Sequence, residues 1–372
     1  MSRLARQSFK STVYIYSGVL FAFVTNTLLF PRYLEPEQIG VLSLLVSYAL
    51  ILSQVANFGI PITITRFYPV FAQAGRQRSF FSLLLGGLLL GGLLSVPAYW
   101  LIHVTLIQPE GGLLQRLAFW IWPLALLTAW SYFFDGVLNS VGRNSSLGIF
   151  IREFLVRVAF LVALVPLMLG WMGFEGYLTA YSLILMGITP LLAYFAWRAR
   201  LIAWGPLDRP FLTSERRGVE MLKTSLLGLA NGLSLLAIVR IDTIMVAKML
   251  DTGAAGIYVT VMNFAVLITM PSRAVLKPIY VEMAQLLSQG SQQELAQLFR
   301  KTSLTLWVVG SLAFLGITCN IHNVERLLPS EYASGMVIIA VLALANLVKM
   351  GAGMDSGLIV HSSYFGYNIY LV

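Results

Sequence analysis

Two ionisable residues, Arg240 and Asp242, interrupt an otherwise apolar run, LAIVRIDTIMVAKML. Two residues apart on a helix, they point to different faces and need not pair with each other. A charge at membrane depth costs several kcal/mol unless it is paired or hydrated. Both are therefore candidate ligands for a substrate or ion in a wet cavity; the structural alternative is a helix-to-helix salt bridge or a position near the outer interface. Arg152 and Arg157 lie at the start of a second apolar run, IREFLVRVAFL, and Glu153 precedes Arg157 by four residues, a spacing that permits an intrahelical pair. Arg66 closes an apolar segment further upstream, and Arg273 and Lys277 follow a later one in PSRAVLKP. Guanidinium groups stay charged at any cellular pH and match phosphate oxygens in a fork. Arg66, Arg152, Arg273 and Lys277 bordering the inner mouth of a cavity, with Arg157, Arg240 and Asp242 completing the set, would suit a doubly anionic pyrophosphate cargo. Topology anchoring is the competing account of the same basic residues.

Nothing in the chain points to catalysis. His103, His322 and His361 have no carboxylate or thiol at ligand spacing, and no Walker-type glycine loop is present. Cys319 is the only cysteine, which excludes an internal disulfide and fits a small apolar residue near the end of a span. An enzyme is not expected, and no cofactor is implied.

The elements that must hold these charges are membrane helices. Of 372 residues, 58% are hydrophobic and 11% charged, with a mean hydropathy of +0.79, whereas soluble domains carry about 25% charged residues. In lipid only helices and closed barrels satisfy their backbone groups, and apolar runs of roughly 20 residues without alternation are helices. Ten spans are expected at 12–30, 39–60, 80–107, 117–138, 147–169, 177–197, 222–246, 255–272, 302–320 and 335–353, with an eleventh starting near Tyr367. Gly87 and Gly91 in LLLGGLLLGGLL have the small-xxx-small spacing of closely packed helices. The N-terminal Arg3, Arg6 and Lys10 lead into a segment too long for a signal peptide, and more spans follow, so it is an uncleaved first helix.

The net charge of +9 is distributed by loop. Eighteen Lys and Arg residues fall on one side of the expected spans and only Arg32, Arg116, Lys248 and Arg326 on the other. The positive-inside rule places the N-terminus and the long basic, aromatic connection at 197–218 in the cytoplasm, where the latter suits the anionic leaflet surface. Basic residues spread over many short loops exclude nucleic acid as a partner.

The chain also repeats itself. Residues 1–48 recur at 217–264 with an offset of 216: NTLLFPRYLEPEQIG aligns with DTIMVAKMLDTGAAG, placing Thr27 on Thr243, Arg32 on Lys248, Glu35 on Asp251 and Gly40 on Gly256. Helix 1 then matches helix 7, and a six-helix repeat gives parallel halves about an axis along the membrane normal, an arrangement used by transporters. The expected organisation is an N-terminal six-helix bundle at 1–200, a cytoplasmic interfacial linker at 201–218 and an incomplete C-terminal bundle at 219–372. A twelve-helix plan leaves this chain short at its C-terminus, so it is expected to be a C-terminally truncated member of its kind.

NTLLFPRYLEPEQIGVLSLL, VLNSVGRNSSLGIFIREFLVR and RIDTIMVAKMLDTGAAGIYVTVMNFA resemble the O-antigen and polysaccharide repeat-unit flippases of the multidrug/oligosaccharidyl-lipid/polysaccharide exporter superfamily. The resemblance implies an all-α polytopic membrane protein of two parallel six-helix-type bundles, the second incomplete here, forming a V-shaped transporter. It implies alternating-access transfer of an undecaprenyl-diphosphate-linked oligosaccharide across the bacterial inner membrane for polysaccharide or lipopolysaccharide biosynthesis. The expected partners are that lipid-linked oligosaccharide, membrane lipids and polysaccharide polymerase machinery. Multidrug antiporters of the same superfamily carry a word similar to Asp242-Thr243-Ile244-Met245-Val246 in helices 1 and 7; here helix 1 has Asn26 in place of the acid, which removes the cation site expected of many antiporters. Lipid II flippases often carry an Arg-Asp pair where this chain has Thr25-Asn26. A cation-coupled multidrug antiporter is the alternative reading, and an inactive fragment or membrane scaffold a further one. The charge asymmetry gives a direct test: reporters active only outside the cell stay silent when fused at Gly205 and are active near Gly112, and the opposite pattern overturns the orientation.

Overall fold

The computed structural model describes residues 3–109, 111–140, 145–202, 204–213 and 216–353. The described residues contain no strand, and nine helices are long and apolar enough to cross a membrane. The expected fifth span is a tenth continuous helical run, 145–168, which Arg152, Glu153 and Arg157 make too charged to rank with the other nine. The expected start of a further span near Tyr367, together with His361 and Arg143, lies outside the described residues.

In chain order the helices are α1 (Arg3–Phe23), α2 (Pro36–Asn57), α3 (Ile60–Gln73), α4 (Gln77–Ile102), α5 (Ile121–Ser140), α6 (145–168), α7 (Phe174–Arg198), α8 (Arg209–Thr213) and α9 (Arg217–Met249), then α10 (Thr252–Val266), α11 (Met270–Gln289), α12 (Gln292–Thr318), α13 (Ile321–Leu327) and α14 (Met336–Ala352). Two compact units emerge. One holds Met1–Ala22 and Val41–Asp251; the other holds Phe23–Gly40 and everything from Thr252 onward.

In the first unit, α5 packs against α7, and α3 against both α5 and α9. Its core is aromatic, with Phe67, Phe71, Phe80, Phe81 and Phe133 buried around Ile64, Leu84 and Leu88. Outward faces are apolar as well: Leu93, Trp100 and Leu183 are exposed, as lipid contact requires. The glycine pair of α4 behaves as its spacing suggests. A Cβ on Gly91 would overlap the Ala56 carbonyl of α2, and one on Gly87 would touch Ile60 at 3.6 Å.

The connection expected after residue 60 is a helix instead. Chain direction changes at Phe58 and Gly59, both left-handed at φ 52° and 68°, and α3 then buries Ile60, Thr63, Ile64, Phe67 and Phe71 at helical spacing. The turn is closed by its own side chains and by α9: Asn57 Oδ1 accepts the Gly59 N–H at 2.9 Å, and the Ser225 hydroxyl donates to the Phe58 carbonyl. A Cβ on Gly59 would strike the Ser225 carbonyl, so only glycine satisfies both the left-handed φ and the approach of α9. The second half has a counterpart. Arg273 and Lys277, expected in a connection after helix 8, lie on α11, which ends at left-handed Gly290. The segment at 201–213 is tied to the start of α4 by an ion pair between Arg76 and Asp208 and by the Asp208 N–H donating to Ser79 Oγ at 2.8 Å.

In the second unit, α10 and α12 pack on α14 around Ala265, Ile268, Leu306, Ala343 and Met350. Here the repeat becomes geometry. The helical segment Phe30–Tyr33 ends and α2 restarts at Pro36; α9 ends at Met249 and α10 restarts at Thr252, each position displaced by the sequence offset of 216. The two restarts then touch reciprocally. A Cβ on Gly40 would overlap the Thr252 carbonyl and crowd Gly256 N at 3.1 Å, while a Cβ on Gly256 would overlap the Pro36 carbonyl and crowd Gly40 N at 2.9 Å. Residues related by the repeat contact one another by the same atoms, as across a local two-fold axis. Gly40→Ala and Gly256→Ala each lower thermal stability in detergent by roughly 1–3 kcal/mol. Gly187→Ala, where nothing lies within 4 Å, serves as the silent control. Equal stability of all three variants would mean that the close approach does not constrain the fold.

Candidate functional site

The first unit gathers charge around α5, α6, α7 and α9. Arg152 sits inside a widened turn of α6: residues 150–155 are π-helical, and the Val156 N–H reaches back to the Ile151 carbonyl, five residues away. On an ideal helix residues five apart are displaced by about 140°, so Arg152 and Arg157 would leave on different faces. A π turn takes up an extra residue and brings such positions together. The turn is braced by α1, where Gly18 leaves room for the Glu153 carbonyl and Tyr14 meets Phe150 edge to face at 4.9 Å.

Arg152 Nη2 donates to Ser131 Oγ at 3.2 Å, and Ser131 spends its own proton on the Thr128 carbonyl at 2.7 Å. The guanidinium lies 4.6 Å over the Tyr132 ring, a favourable cation–π placement. Arg157 and Glu153 form the expected intrahelical pair, at 3.9 Å. Arg240, from α9, is half-buried and acts electrostatically on Tyr132, Tyr181 and Arg157. Tyr181 lies within electrostatic range of Arg157 and Arg240 and is held in place by stacking on Phe160, with ring centres 3.9 Å apart. Three guanidiniums and two tyrosines from four helices thus lie within electrostatic range of one another. Arg152 Nε and Arg240 Nε are buried without a hydrogen-bond partner, a state that carries a desolvation cost in a protein interior. An oxyanion is the class of ligand whose acceptors would satisfy such donors.

The remaining candidates do not join this cluster. Arg66, on α3, donates to Thr224 Oγ1 at 3.2 Å and lies 5.5 Å from the Phe67 ring centre. Asp242 is exposed on α9, off the face that carries Arg240. Arg273 and Lys277 are placed on α11 by their backbone alone; their side chains lie outside the described residues. The sequence analysis singles out Arg152, Arg157 and Arg240 but not Tyr132, Tyr181, Ser131 or Asp135, the last of which is itself an acid within a span. The available signal was spacing: Ser131, Asp135 and Asn139 stand at i, i+4 and i+8 in the apolar sequence of α5.

The family model described as "Polysaccharide biosynthesis protein" matches residues 4–284. None of the curated proteins compared matches the chain. Among solved structures, an outward-facing multidrug resistance MATE family transporter of the MOP superfamily aligns at 13% identity with a TM-score of 0.61, covering 98% of this chain and 84% of the other. A MATE protein crystallised in complex with MaL6 aligns at 14% identity with a TM-score of 0.63 and the same coverage. At such identities the likeness is one of fold. The match over most of its length means that the chain belongs to the polysaccharide biosynthesis protein family, on the all-helical polytopic fold of MOP-superfamily transporters.

Proposed function

We propose that this protein is a flippase that carries a polyprenyl-diphosphate-linked oligosaccharide, undecaprenyl diphosphate in bacteria, across the inner membrane by alternating access. The observation that carries the reading is the cluster of Arg152, Arg157 and Arg240 against Tyr132 and Tyr181 inside the first unit. A diphosphate supplies the negative charge that three guanidiniums demand, and phenol rings can also stack on sugar faces. Family membership supports a polysaccharide precursor as the source of that diphosphate. Arg66, Arg273, Lys277 and Asp242 are the further substrate contacts of this reading. The polymerase that consumes the flipped unit is the expected functional partner.

The fold is equally compatible with a cation-coupled multidrug antiporter. Two features argue against it: helix 1 has Asn26 where the antiporter pattern has an acid, and the cationic cluster would disfavour any cationic cargo. In a strain lacking its own flippase, the wild-type chain restores surface polysaccharide, and Arg152→Ala or Arg240→Ala lowers that export by about tenfold, the equivalent of roughly 1.4 kcal/mol. Arg→Lys at either position recovers only part, since an ammonium cannot bind in a fork. Full export by a triple Ala variant at 152, 157 and 240 rules out the site, and drug resistance without glycan export favours the antiporter.

A further inference from the structure

The connection between α7 and α9 has two faces, and the protein uses one of them for itself. On that face Leu201, Ile202, Phe211 and Leu212 pack on the aromatic core of the first unit. Ser82 Oγ donates to the Gly205 carbonyl at 2.7 Å and accepts the Gly205 N–H at 3.1 Å, beside the bonds that tie Asp208 to Ser79 and Arg76. The Phe211 ring meets Phe71 edge to face at 5.0 Å, and the guanidiniums of Arg76 and Arg217 stand 5.2 and 4.2 Å from its centre. These contacts make the connection a docked element with a defined free face. That face is apolar and basic. Trp204 is 49% exposed and Leu207 48%, and Trp197, near the end of α7, is 75% exposed. Of the two arginines at the start of α4, Arg76 is taken up by Asp208 and Phe211. Arg78 is exposed, and its side chain has no ion pair or hydrogen bond among the described residues. The carbons of that side chain lie over Gly205, next to Trp204, so that a Cβ on Gly205 would come within 2.8 Å of them. Arg200, left-handed at φ 51° just beyond α7, is exposed with an equally free side chain, whereas Arg198 donates to Tyr194 OH at 2.9 Å.

We propose that this surface binds anionic phospholipid, with headgroup phosphates at Arg78 and Arg200 and with Trp204 and Leu207 in the acyl boundary beneath them. Its place in the fold fits that partner. Helix α4 begins there and α7 ends there, and both are long and apolar enough to cross a membrane. At the end of a span hydrocarbon gives way to phosphate, and there tryptophan gathers and cations meet the negative charge of the leaflet. Each side chain then finds its own phase: the indole and Leu207 reach apolar surface, and the guanidiniums reach phosphate oxygens. An acidic protein partner would satisfy the arginines but leave the outward tryptophan and leucine unexplained. Charge in the sequence assigns the whole connection at 197–218 to the anionic leaflet. The contacts withdraw Arg76 and Phe211 from that role and add Arg78, which stands far upstream in the chain. None of these residues belongs to the arginine–tyrosine cluster, so the lipid site is independent of the cargo.

The test uses the purified full chain in phosphatidylcholine nanodiscs that carry a minor share of brominated phosphatidylglycerol or, in parallel, the same share of brominated phosphatidylcholine. Bromine quenches tryptophan on contact, and the Trp204 signal is the difference between wild-type protein and Trp204→Phe. Phosphatidylglycerol is expected to quench that signal at a lipid share about fivefold lower than phosphatidylcholine, the factor that one surface cation gains from anionic lipid. Arg78→Gln combined with Arg200→Gln removes the difference. Arg→Lys at both positions keeps it, because attraction to a phosphate charge needs no fork. Equal quenching by the two lipids in the wild type overturns the proposal, as does the absence of quenching by either. A preference that survives the double Gln variant overturns it too. So does a preference abolished by excess soluble glycerol phosphate at constant ionic strength, which would assign the arginines to a dissolved anion. If the double Gln variant does not fold, salt decides: screening is expected to erase the preference in wild-type and double Lys proteins alike, and a preference that persists in high salt overturns the site.

Discussion

A guanidinium in hydrocarbon must be solvated by protein, ligand or penetrating water, at a cost of about 2.5–3.5 kcal/mol for each arginine near the centre of an inserted helix. Much of the first unit's interior is arranged around that constraint. Arg152 receives a hydroxyl and a ring face, Arg157 a carboxylate one turn away, and Arg240 the neighbourhood of two phenols. None of these partners neutralises all three charges. The residual positive potential is what a doubly negative group would complete, and removing any one partner would worsen the imbalance more than removing a lipid-facing leucine.

Backbone geometry makes that arrangement possible. The π turn at 150–155 inserts an extra residue between Arg152 and Arg157, and α1 approaches it so closely at Gly18 that the Glu153 carbonyl fills the space of a missing side chain. The same device recurs where α9 meets Gly59 and where the repeat-related Gly40 and Gly256 face each other's chains. In lipid, helix association has little hydrophobic drive and depends on close packing. Glycines at these contacts therefore set distances that decide where the long polar side chains end.

Much of this could be read from the sequence, and what could not has identifiable causes. Span positions, the Gly87/Gly91 contact and the Glu153–Arg157 pair follow from hydropathy and from spacing on a regular helix, because those rules need only local periodicity. The helical character of 60–73 was hidden by Gly59, Pro61, Pro69 and the lone charge of Arg66, although its buried positions keep a helical period. Arg66, expected at the end of a span, thereby became a mid-helix residue bonded to Thr224. The grouping of Arg152 with Arg157 depends on an extra residue in one turn, which no regular periodicity encodes. The tyrosines were invisible to a search for charge. Asp135 was visible as an acid within a span, but its fit over Gly148 was not, because that contact lies between two helices.

The fold is shared between carriers of unlike cargo, so selectivity has to come from the sign and placement of a few charges. Where the antiporter pattern calls for an acid in helix 1, this chain has Asn26, set within a π-helical stretch between the buried Thr25 and Thr27. A neutral amide there removes the fixed negative charge that would attract an organic cation. A carboxylate alone at a binding face selects cations; the same group opposed to a guanidinium modulates how available that guanidinium is to anions. Within the first unit, the guanidiniums of Arg152, Arg157 and Arg240 outnumber the carboxylates of Glu153 and Asp135, a balance that in electrostatic terms favours anionic over cationic groups.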